Sequence, residues 1–201
     1  MSWKVLKFGG SSITKIGFDN IIDRIKKIKE LEENVQIMIV LSAKKNVTNL
    51  LINKNYDIVK NIHNDFMNEL DLNQDSKEII NKLYDFKKSN RSIISLGEIL
   101  STSIFYEYLN NKVTTKLLYS TNFIKSKENF KDDTELYLSS EYYVDECILN
   151  AFLSYNSIYI CQGFIGSTPD NRVCLMGRGG SDTTASLIAN ALNADCVEIW
   201  T

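Results

Sequence analysis

Two glycine-containing turns near opposite ends of the chain carry residue types that suit anion binding. The first, KFGGSS, spans residues 7–12 and places a lysine just before two glycines. The second, GRGGSDTTAS, spans residues 177–186 and combines an arginine, adjacent glycines and an aspartate. Glycines let backbone N–H groups approach phosphate oxygens closely, and the basic side chains add positive charge. Two such turns on one sheet edge would suit phosphoryl transfer, where catalysis is mainly positioning and charge neutralisation.

Each turn also has a plainer structural interpretation. Two glycines after a strand are typical of a tight turn, and KFGGSS matches neither GxxxxGK[ST] nor GxGxxG. In the second turn, Ser181 is predicted to cap a helix that starts near Asp182, where an acid would favour the helix dipole. Arg178, three residues upstream, has the fork geometry that binds a carboxylate or phosphate through two hydrogen bonds. Either turn alone is therefore a weak functional signal.

The elements that must position these turns alternate between strand and helix. The run WKVLKF (3–8) predicts a strand, residues 18–33 have helical apolar spacing, and the β-branched run 35–43 predicts a second strand. Such a β-α-β unit favours parallel pairing. Further along we predict three helices between Val47 and Leu109, strands at 114–120, 157–164 and 195–200, helices at 145–153 and 182–193, a polar excursion at 121–142 and a hairpin turn at 168–171. The pattern indicates an α/β fold with a mostly parallel sheet sandwiched between helices.

Composition excludes several classes of protein. The 201 residues are 44% hydrophobic and 24% charged, which is typical of one globular domain, and a net charge of −2 gives no basic field for nucleic acid or acidic membranes. No apolar run approaches the roughly 18 residues that span a bilayer. His63 lies in a polar helical stretch and is predicted to be a surface residue without a catalytic role. Four scattered cysteines predict no zinc site and reduced, buried thiols in a cytoplasmic protein: Cys147, Cys161, Cys174 and Cys196.

Five blocks and a closing segment carry a family resemblance along the whole chain. They are KFGGSS (7–12), VLSAKKNVTNLL (40–51), SLGEILST (95–102), QGFIGS (162–167), GRGGSDTTA (177–185) and VEIWT (197–201). The third and fifth blocks are the most specific, and the order and spacing of all of them disfavour a chance match. On these residues the sequence resembles the aspartate kinases, members of the amino-acid kinase family. The resemblance implies the amino-acid kinase fold, which is similar to that of carbamate kinase.

The resemblance implies a nucleotide site that takes ATP with Mg²⁺ and needs no resident metal. Lys7 would neutralise charge on the transferred phosphoryl group, and Asp182 would organise the cationic groups around it. The N–H groups of the glycine turn would surround the phosphates. The implied ATP-binding residues are Lys7, Phe8, Gly9, Gly10, Ser11 and Thr201.

On the acceptor side the resemblance implies a site for L-aspartate. Glu98 would receive the substrate ammonium group, and Arg178 would bind a substrate carboxylate. The other implied contacts are Ser42, Thr48, Phe164 and Ser181. Without the resemblance, Ser42 and Thr48 would be interpreted as capping residues of the helix after the second strand, and Glu98 as an exposed helix residue.

Three positions depart from the family pattern. Ser11 stands where threonine is usual, which keeps the hydroxyl. Leu96 stands where histidine is frequent, which removes a polar group near Glu98. Asn46 stands where glycine is common, and asparagine tolerates the left-handed backbone that such a turn requires.

The family's members continue past the closing Trp-Thr with a segment that binds adenine and ribose, and then with regulatory domains that form the dimer. We therefore expect residues 1–201 to be the N-terminal portion of an amino-acid kinase catalytic domain, C-terminally incomplete and without regulatory domains. A homo-oligomer is expected for the full-length family member. The implied function is ATP-dependent phosphorylation of the L-aspartate side chain to 4-phospho-L-aspartate, the first step towards lysine, threonine and methionine.

Two alternatives stay open at this point. The chain would act as a truncated, non-catalytic module if it binds aspartate or a partner chain without binding ATP productively. It would be a related amino-acid kinase if its acceptor is another carboxylate or a carbamate. Glu98 disfavours the second alternative, because an ammonium-bearing substrate needs a carboxylate partner.

Overall fold

The computed structural model describes residues 2–32, 34–85, 89–110, 112–132, 134–154 and 157–201. The strands in these ranges are β1 (Trp3–Phe8), β2 (Gln36–Leu41), β3 (Thr115–Leu118), β4 (Ile124–Ser126), β5 (Tyr142–Val144), β6 (Ile158–Gln162), β7 (Ile165–Ser167), β8 (Val173–Leu175) and β9 (Cys196–Trp200). The helices are α1 (Lys15–Leu31), α2 (Val47–Ile52), α3 (Tyr56–Glu69), α4 (Gln74–Lys82), α5 (Asn90–Asn110), α6 (Ser120–Phe123), α7 (Glu146–Phe152) and α8 (Gly180–Ala191). Single 3-10 turns cover Gly10–Ser12 and Leu83–Asp85.

The main sheet has the strand order β3-β6-β2-β1-β9, and all of its pairings are parallel. Strand β2 is buried along its whole length, as its continuous apolar run predicts for a strand covered on both faces. Strand β9 lies at one edge, where Val197, Ile199 and Trp200 are exposed. The prediction of a mostly parallel sheet sandwiched between helices is confirmed.

The two faces of the main sheet bury different cores. Leu6, Ile39 and Leu41 pack in the larger core with α1 and α5, whereas Val5 and Val40 pack on the opposite face with α8. The alternation follows from the two-residue period of a strand. Helix α1 contributes one apolar face, made of Phe18, Ile21, Ile22, Ile25 and Ile28. Helices therefore cover both faces of the main sheet, and the C-terminal ends of its parallel strands lie along one edge.

A second sheet, in the order β5-β4-β7-β8, comes from segments whose sequence reads as polar loop or hairpin. Strands β7 and β8 pair antiparallel, and the N–H of Asn171 donates to the carbonyl of Thr168 at 2.8 Å. The predicted hairpin is thus confirmed. The predicted polar excursion at 121–142 instead contributes most of α6, all of β4 and the first residue of β5. The sequence does not predict these strands, because three residues are too few to show a two-residue period.

Between the second and third strands, the described residues form four α-helices rather than the three predicted. The additional break follows α2, where Lys54 adopts a positive φ of 60° and its N–H bonds to the carbonyl of Leu51 at 3.0 Å. A left-handed residue ends a helix, and nothing in the apolar spacing signals it. Among the helices of the described ranges, none is both long and apolar enough to cross a membrane.

The cysteine prediction is correct for only two of the four residues. Cys161 and Cys174 are buried, and burial raises the pKa of the Cys174 thiol to about 11. Cys147 is exposed and Cys196 is half-buried. All four are free thiols.

The prediction that His63 lies on the surface is wrong. It is fully buried on the face of α3 that also carries Phe66 and Met67, and its Nδ1–H donates to the carbonyl of Val59 at 2.8 Å. Its Nε2 has no hydrogen-bond partner. Burial, together with the nearby positive charge of Lys44, lowers the pKa of His63 to about 4. The imidazole is therefore neutral at physiological pH.

This buried histidine predicts a loss of stability on mild acidification. Between about pH 6.5 and about pH 4 the unfolded chain binds a proton that folded His63 does not, so stability falls as pH falls. At about pH 5 the expected loss is about 2 kcal/mol relative to neutral pH. Urea unfolding of the wild type and of His63→Phe at both pH values measures it. An equal change in both proteins would refute the prediction.

Candidate active site

Lys7 of the first turn and five residues of the second turn line one cavity of about 280 Å³ at the C-terminal ends of β1 and β2; the five are Gly177, Gly179, Gly180, Ser181 and Asp182. Helices α2, α5 and α8 supply most of the rest of its wall, and Phe164 and two loop glycines complete it. This is the edge of a parallel sheet where ligands usually bind. The predicted site residues that line it are Lys7, Ser42, Thr48, Glu98, Phe164, Ser181 and Asp182.

An ion pair between a buried lysine and a half-exposed aspartate joins the two turns. The Lys7 ammonium lies 2.7 Å from Oδ1 of Asp182; the Lys7 side chain is 7% exposed and that of Asp182 is 46% exposed. Asp182 stands in the first turn of α8, but a partner this close means that it does more than favour the helix dipole. The Asp182 carboxylate therefore holds the Lys7 ammonium group at the cavity wall.

Glu98 is a buried carboxyl group at the cavity wall. Its side chain is buried on α5, where Oε1 accepts a 3.3 Å hydrogen bond from the N–H of Ala43 and Oε2 has no partner. Burial raises the pKa of Glu98 to about 8. The interpretation of Glu98 as an exposed helix residue is therefore wrong. A buried carboxylate with an unpaired oxygen at a cavity wall favours a cationic ligand.

The first turn is both a tight turn and a source of free N–H groups. The N–H of Gly9 donates to the carbonyl of Trp200 at 2.8 Å, so this N–H is not free for a phosphate in the structure, and a role for Gly9 in nucleotide binding stays a prediction. In the described chain the N–H groups of Gly10 and Ser11 have no such acceptor. A Cβ on Gly10 would lie 2.6 Å from the carbonyl oxygen of Ala43, which only glycine avoids. Two N–H groups therefore remain for an anion.

Five of the six residues assigned to nucleotide binding do not line the cavity wall: Phe8, Gly9, Gly10, Ser11 and Thr201. Phe8 is buried, and its ring stacks on Trp200 with the centroids 5.8 Å apart. Thr201 is exposed, and its Cα would be 3.6 Å from a Cβ built on Gly9. Phe8 thus supports the turn from the core side, while Thr201 borders it from the end of β9.

Ser42 and Thr48 do not cap α2. The N-cap residue is Asn46, which makes no side-chain capping bond and has the predicted left-handed backbone, with φ at 70°. Both hydroxyl residues are half-buried and line the cavity. Within the described chain neither hydroxyl has a hydrogen-bond partner, so both are available to a ligand.

The second turn enters α8 differently from the prediction. The N-cap is Gly179 rather than Ser181, and the helix begins at Gly180. Gly179 and Gly177 have φ values of 72° and 79°, which glycine adopts at no steric cost. Ser181 instead packs inside the first turn, where a Cβ on Gly163 would lie 2.6 Å from its hydroxyl. Gly179, with its left-handed backbone, therefore takes the N-cap position that was predicted for Ser181.

Arg178 is the one predicted acceptor-side residue that the structure does not bring into the cavity wall. Its neighbours Gly177 and Gly179 line the cavity, whereas Arg178 itself is exposed. It makes no hydrogen bond or ion pair with the other described residues. Its guanidinium therefore lies at the surface beside the site.

No residue pattern around Phe164 predicts its strained backbone. Its φ of 69° is unusual for a bulky residue, and such outliers concentrate at functional sites. The N–H of Phe164 donates to Oγ1 of Thr184 at 3.1 Å, and its carbonyl accepts from the N–H of Met176 at 2.9 Å. Thr184 also donates to the carbonyl of Gly180 at 2.8 Å. These bonds fix Phe164 against the start of α8.

The chain belongs to the amino acid kinase family, whose family model matches residues 2–201. Within that family its relatives are aspartokinases. It is 33% identical over 206 residues to the aspartokinase of Rickettsia bellii, covering 100% of this chain and 43% of that protein.

Solved structures of Escherichia coli aspartokinase III share the fold. The complex with lysine and aspartate superposes with a TM-score of 0.77 at 27% identity, covering 98% of this chain and 49% of that one. The complex with aspartate and ADP gives a TM-score of 0.75 at 28% identity, covering 100% and 49%. The chain thus spans about half the length of the relatives it matches.

Proposed function

We propose that this chain carries the acceptor site and the triphosphate turn of a kinase that phosphorylates the side-chain carboxylate of L-aspartate. The observation that carries the proposal is the unpaired Oε2 of buried Glu98 in the same cavity as the Lys7–Asp182 pair. An acceptor with an ammonium group compensates the Glu98 carboxylate. A phosphate donor matches the Lys7 ammonium and the two free N–H groups of the first turn.

The reaction we propose is a direct in-line transfer. A carboxylate oxygen of aspartate attacks the γ-phosphorus of ATP, the bond to the β,γ-bridging oxygen breaks, and ADP leaves. Because the acceptor carboxylate is already ionised at neutral pH, no side chain has to remove a proton from it. Lys7 would neutralise charge on the phosphoryl group, while Glu98 would orient the aspartate through its ammonium group. No covalent enzyme intermediate forms.

The cavity also fits ATP that arrives with Mg²⁺. Nucleotide-bound Mg²⁺ keeps several waters and needs only one or two protein carboxylates. The half-exposed carboxylate of Asp182 meets that need, and the described ranges contain no group of three His, Cys, Asp or Glu side chains that could hold a metal by themselves. When bound, the ion would neutralise charge on the β- and γ-phosphates.

The wider biological role is proposed by analogy with the relatives. Escherichia coli aspartokinase III has been captured with aspartate and ADP, and separately with aspartate and lysine. We extend aspartate and an adenine nucleotide to this chain, and with them a cytoplasmic role at the start of lysine, threonine and methionine synthesis. For a longer protein containing this chain we also propose a homo-oligomer.

Calorimetric titration of the 201-residue chain with ATP and with L-aspartate tests this function. Binding of both ligands is expected. Aspartate binding without ATP binding would favour the second candidate, a non-catalytic module that binds aspartate. This candidate is considered because the chain spans only about half the length of each of these relatives. Binding of neither ligand would contradict both.

Arg178→Ala is expected to weaken aspartate binding while leaving ATP binding nearly unchanged. The guanidinium stands beside the cavity, and the flanking glycines permit the backbone to bring it onto a substrate carboxylate. Loss of one charge-assisted contact predicts an affinity about tenfold lower. Calorimetry measures both affinities, with Lys127→Ala, which removes a cation paired with Glu141 on the second sheet, as the control. Unchanged aspartate affinity would remove Arg178 from the acceptor site.

A further inference from the structure

The loop between β2 and α2 contacts both halves of the candidate site. On one side the N–H of Ala43 donates to Oε1 of Glu98 at 3.3 Å. On the other side the N–H of Lys45 donates to the carbonyl of Gly10 at 3.0 Å. Between them, the N–H of Lys44 donates to the hydroxyl of Ser101 on α5 at 2.9 Å. The loop therefore links the first glycine turn to the helix that carries Glu98.

The side chain of Lys44 makes a further contact with the glycine turn. Its ammonium donates a 2.6 Å hydrogen bond to the carbonyl of Ile13, the residue that ends the turn. It also lies 4.0 Å from the ring centroid of Phe66 on α3, a cation–π distance. Lys44 is half-buried and is not part of the cavity wall. Its charge is thus committed to the turn and to α3.

These contacts hold the turn by its carbonyl groups. The carbonyl of Gly10 accepts from Lys45 and that of Ile13 from Lys44, while the N–H groups of Gly10 and Ser11 have no acceptor in the described chain. A turn fixed through its carbonyls can keep its N–H groups in place for an anion without an induced change of shape. The sequence motifs do not distinguish Lys44 from its exposed neighbour Lys45.

We propose that Lys44 is a positioning residue for the phosphate-binding turn, an inference that rests on the proposed kinase function. Its ammonium holds the Ile13 carbonyl and, through it, the geometry in which the N–H groups of Gly10 and Ser11 meet phosphate oxygens. Lys44 itself does not touch the nucleotide. Phe66 completes the arrangement by supporting the ammonium from the side of α3.

The test compares Lys44→Met, Lys44→Arg and Lys29→Met. Lys29 is a matched control, because it is also half-buried and donates to a backbone carbonyl, that of Val35, at 2.6 Å, but at the opposite end of β2. Lys44→Met is expected to bind ATP about tenfold more weakly and aspartate within about twofold of wild type. Lys44→Arg should restore most of the ATP affinity, and Lys29→Met should leave it unchanged. Equal loss for ATP and aspartate, or no loss in Lys44→Met, would overturn the proposal.

A second measurement does not depend on nucleotide binding. Amide hydrogen exchange at Ser12, Ile13 and Thr14 reports the turn's own hydrogen bonds. Exchange there is expected to be about tenfold faster in Lys44→Met than in wild type, with Lys44→Arg near wild type. Unchanged exchange would overturn the positioning role. A wild-type chain that binds no ATP while this exchange effect is present would contradict the kinase function and leave the role of Lys44 in shaping the turn intact.

Discussion

Glu98→Gln is expected to weaken aspartate binding by at least about hundredfold, because it removes a carboxylate that can compensate a buried ammonium group. Among the described residues that line the cavity, Asp182 is the only other acid, and it is already paired with Lys7. Glutamine keeps the shape of the side chain and can still accept from the N–H of Ala43. Calorimetry gives the affinity. Glu107→Gln on the same helix, where the carboxylate accepts from Ser76 at 2.6 Å, is the control. Equal affinities in wild type and Glu98→Gln would contradict the acceptor site.

The raised pKa of Glu98 adds a pH signature to this variant. Below about pH 8 the free protein holds a proton on Glu98 that an ammonium ligand displaces, so wild-type aspartate affinity should rise with pH up to about that value. The free energy of unfolding is expected to change with pH in the opposite direction. Folded Glu98 keeps a proton that the unfolded chain releases near pH 4.5, so the wild type becomes less stable as pH rises. By about pH 8 the expected loss is up to about 5 kcal/mol relative to Glu98→Gln. Parallel stability curves for the two proteins would refute this.

Lys7→Ala is expected to abolish aspartate-dependent ADP formation and to weaken ATP binding by at least about hundredfold. The Lys7 ammonium is the buried positive charge at the cavity, and no other lysine or arginine of the described chain lines it. The fold should survive, since the Asp182 carboxylate left behind is 46% exposed and can be hydrated. A coupled assay for ADP and calorimetry with ATP provide the measurements.

Lys4→Ala is the matched control for Lys7. Lys4 lies on the same strand and pairs with Glu32 at 2.7 Å, towards the opposite end of the sheet. This variant should bind ATP as the wild type does. Wild-type turnover or ATP affinity in Lys7→Ala would exclude Lys7 from the phosphoryl site.

Sequence patterns predicted those parts of the fold that depend on long apolar periods. Strand β2 is six consecutive buried residues, and α1 carries five buried apolar residues at helical spacing, so both are visible in the sequence. The second sheet is not, because its strands have three residues each and pair across distant segments. His63 was misassigned because its polar sequence neighbours hide a buried helix face.

The sequence motifs predict the site residues whose side chains line the cavity. They do not predict which backbone N–H groups are free or which side chains the loop backbone leaves exposed. Lys7, Glu98 and Asp182 were assigned from their blocks, and all three line one cavity. The Gly9 N–H is hydrogen-bonded to the carbonyl of Trp200, a residue of the strand at the far end of the chain. The exposure of Arg178 depends on two left-handed glycines. Neither is encoded in the local spacing of residue types.

The position of β9 has a practical consequence for handling the protein. In the described chain β9 pairs with β1 on one side only, and Val197 and Ile199 are 38% and 52% exposed beside the open edge. An unpaired strand bordered by apolar side chains is a template on which a second molecule can add a strand. Self-association through this edge would therefore increase with protein concentration, and binding experiments belong at the dilute end of the accessible range.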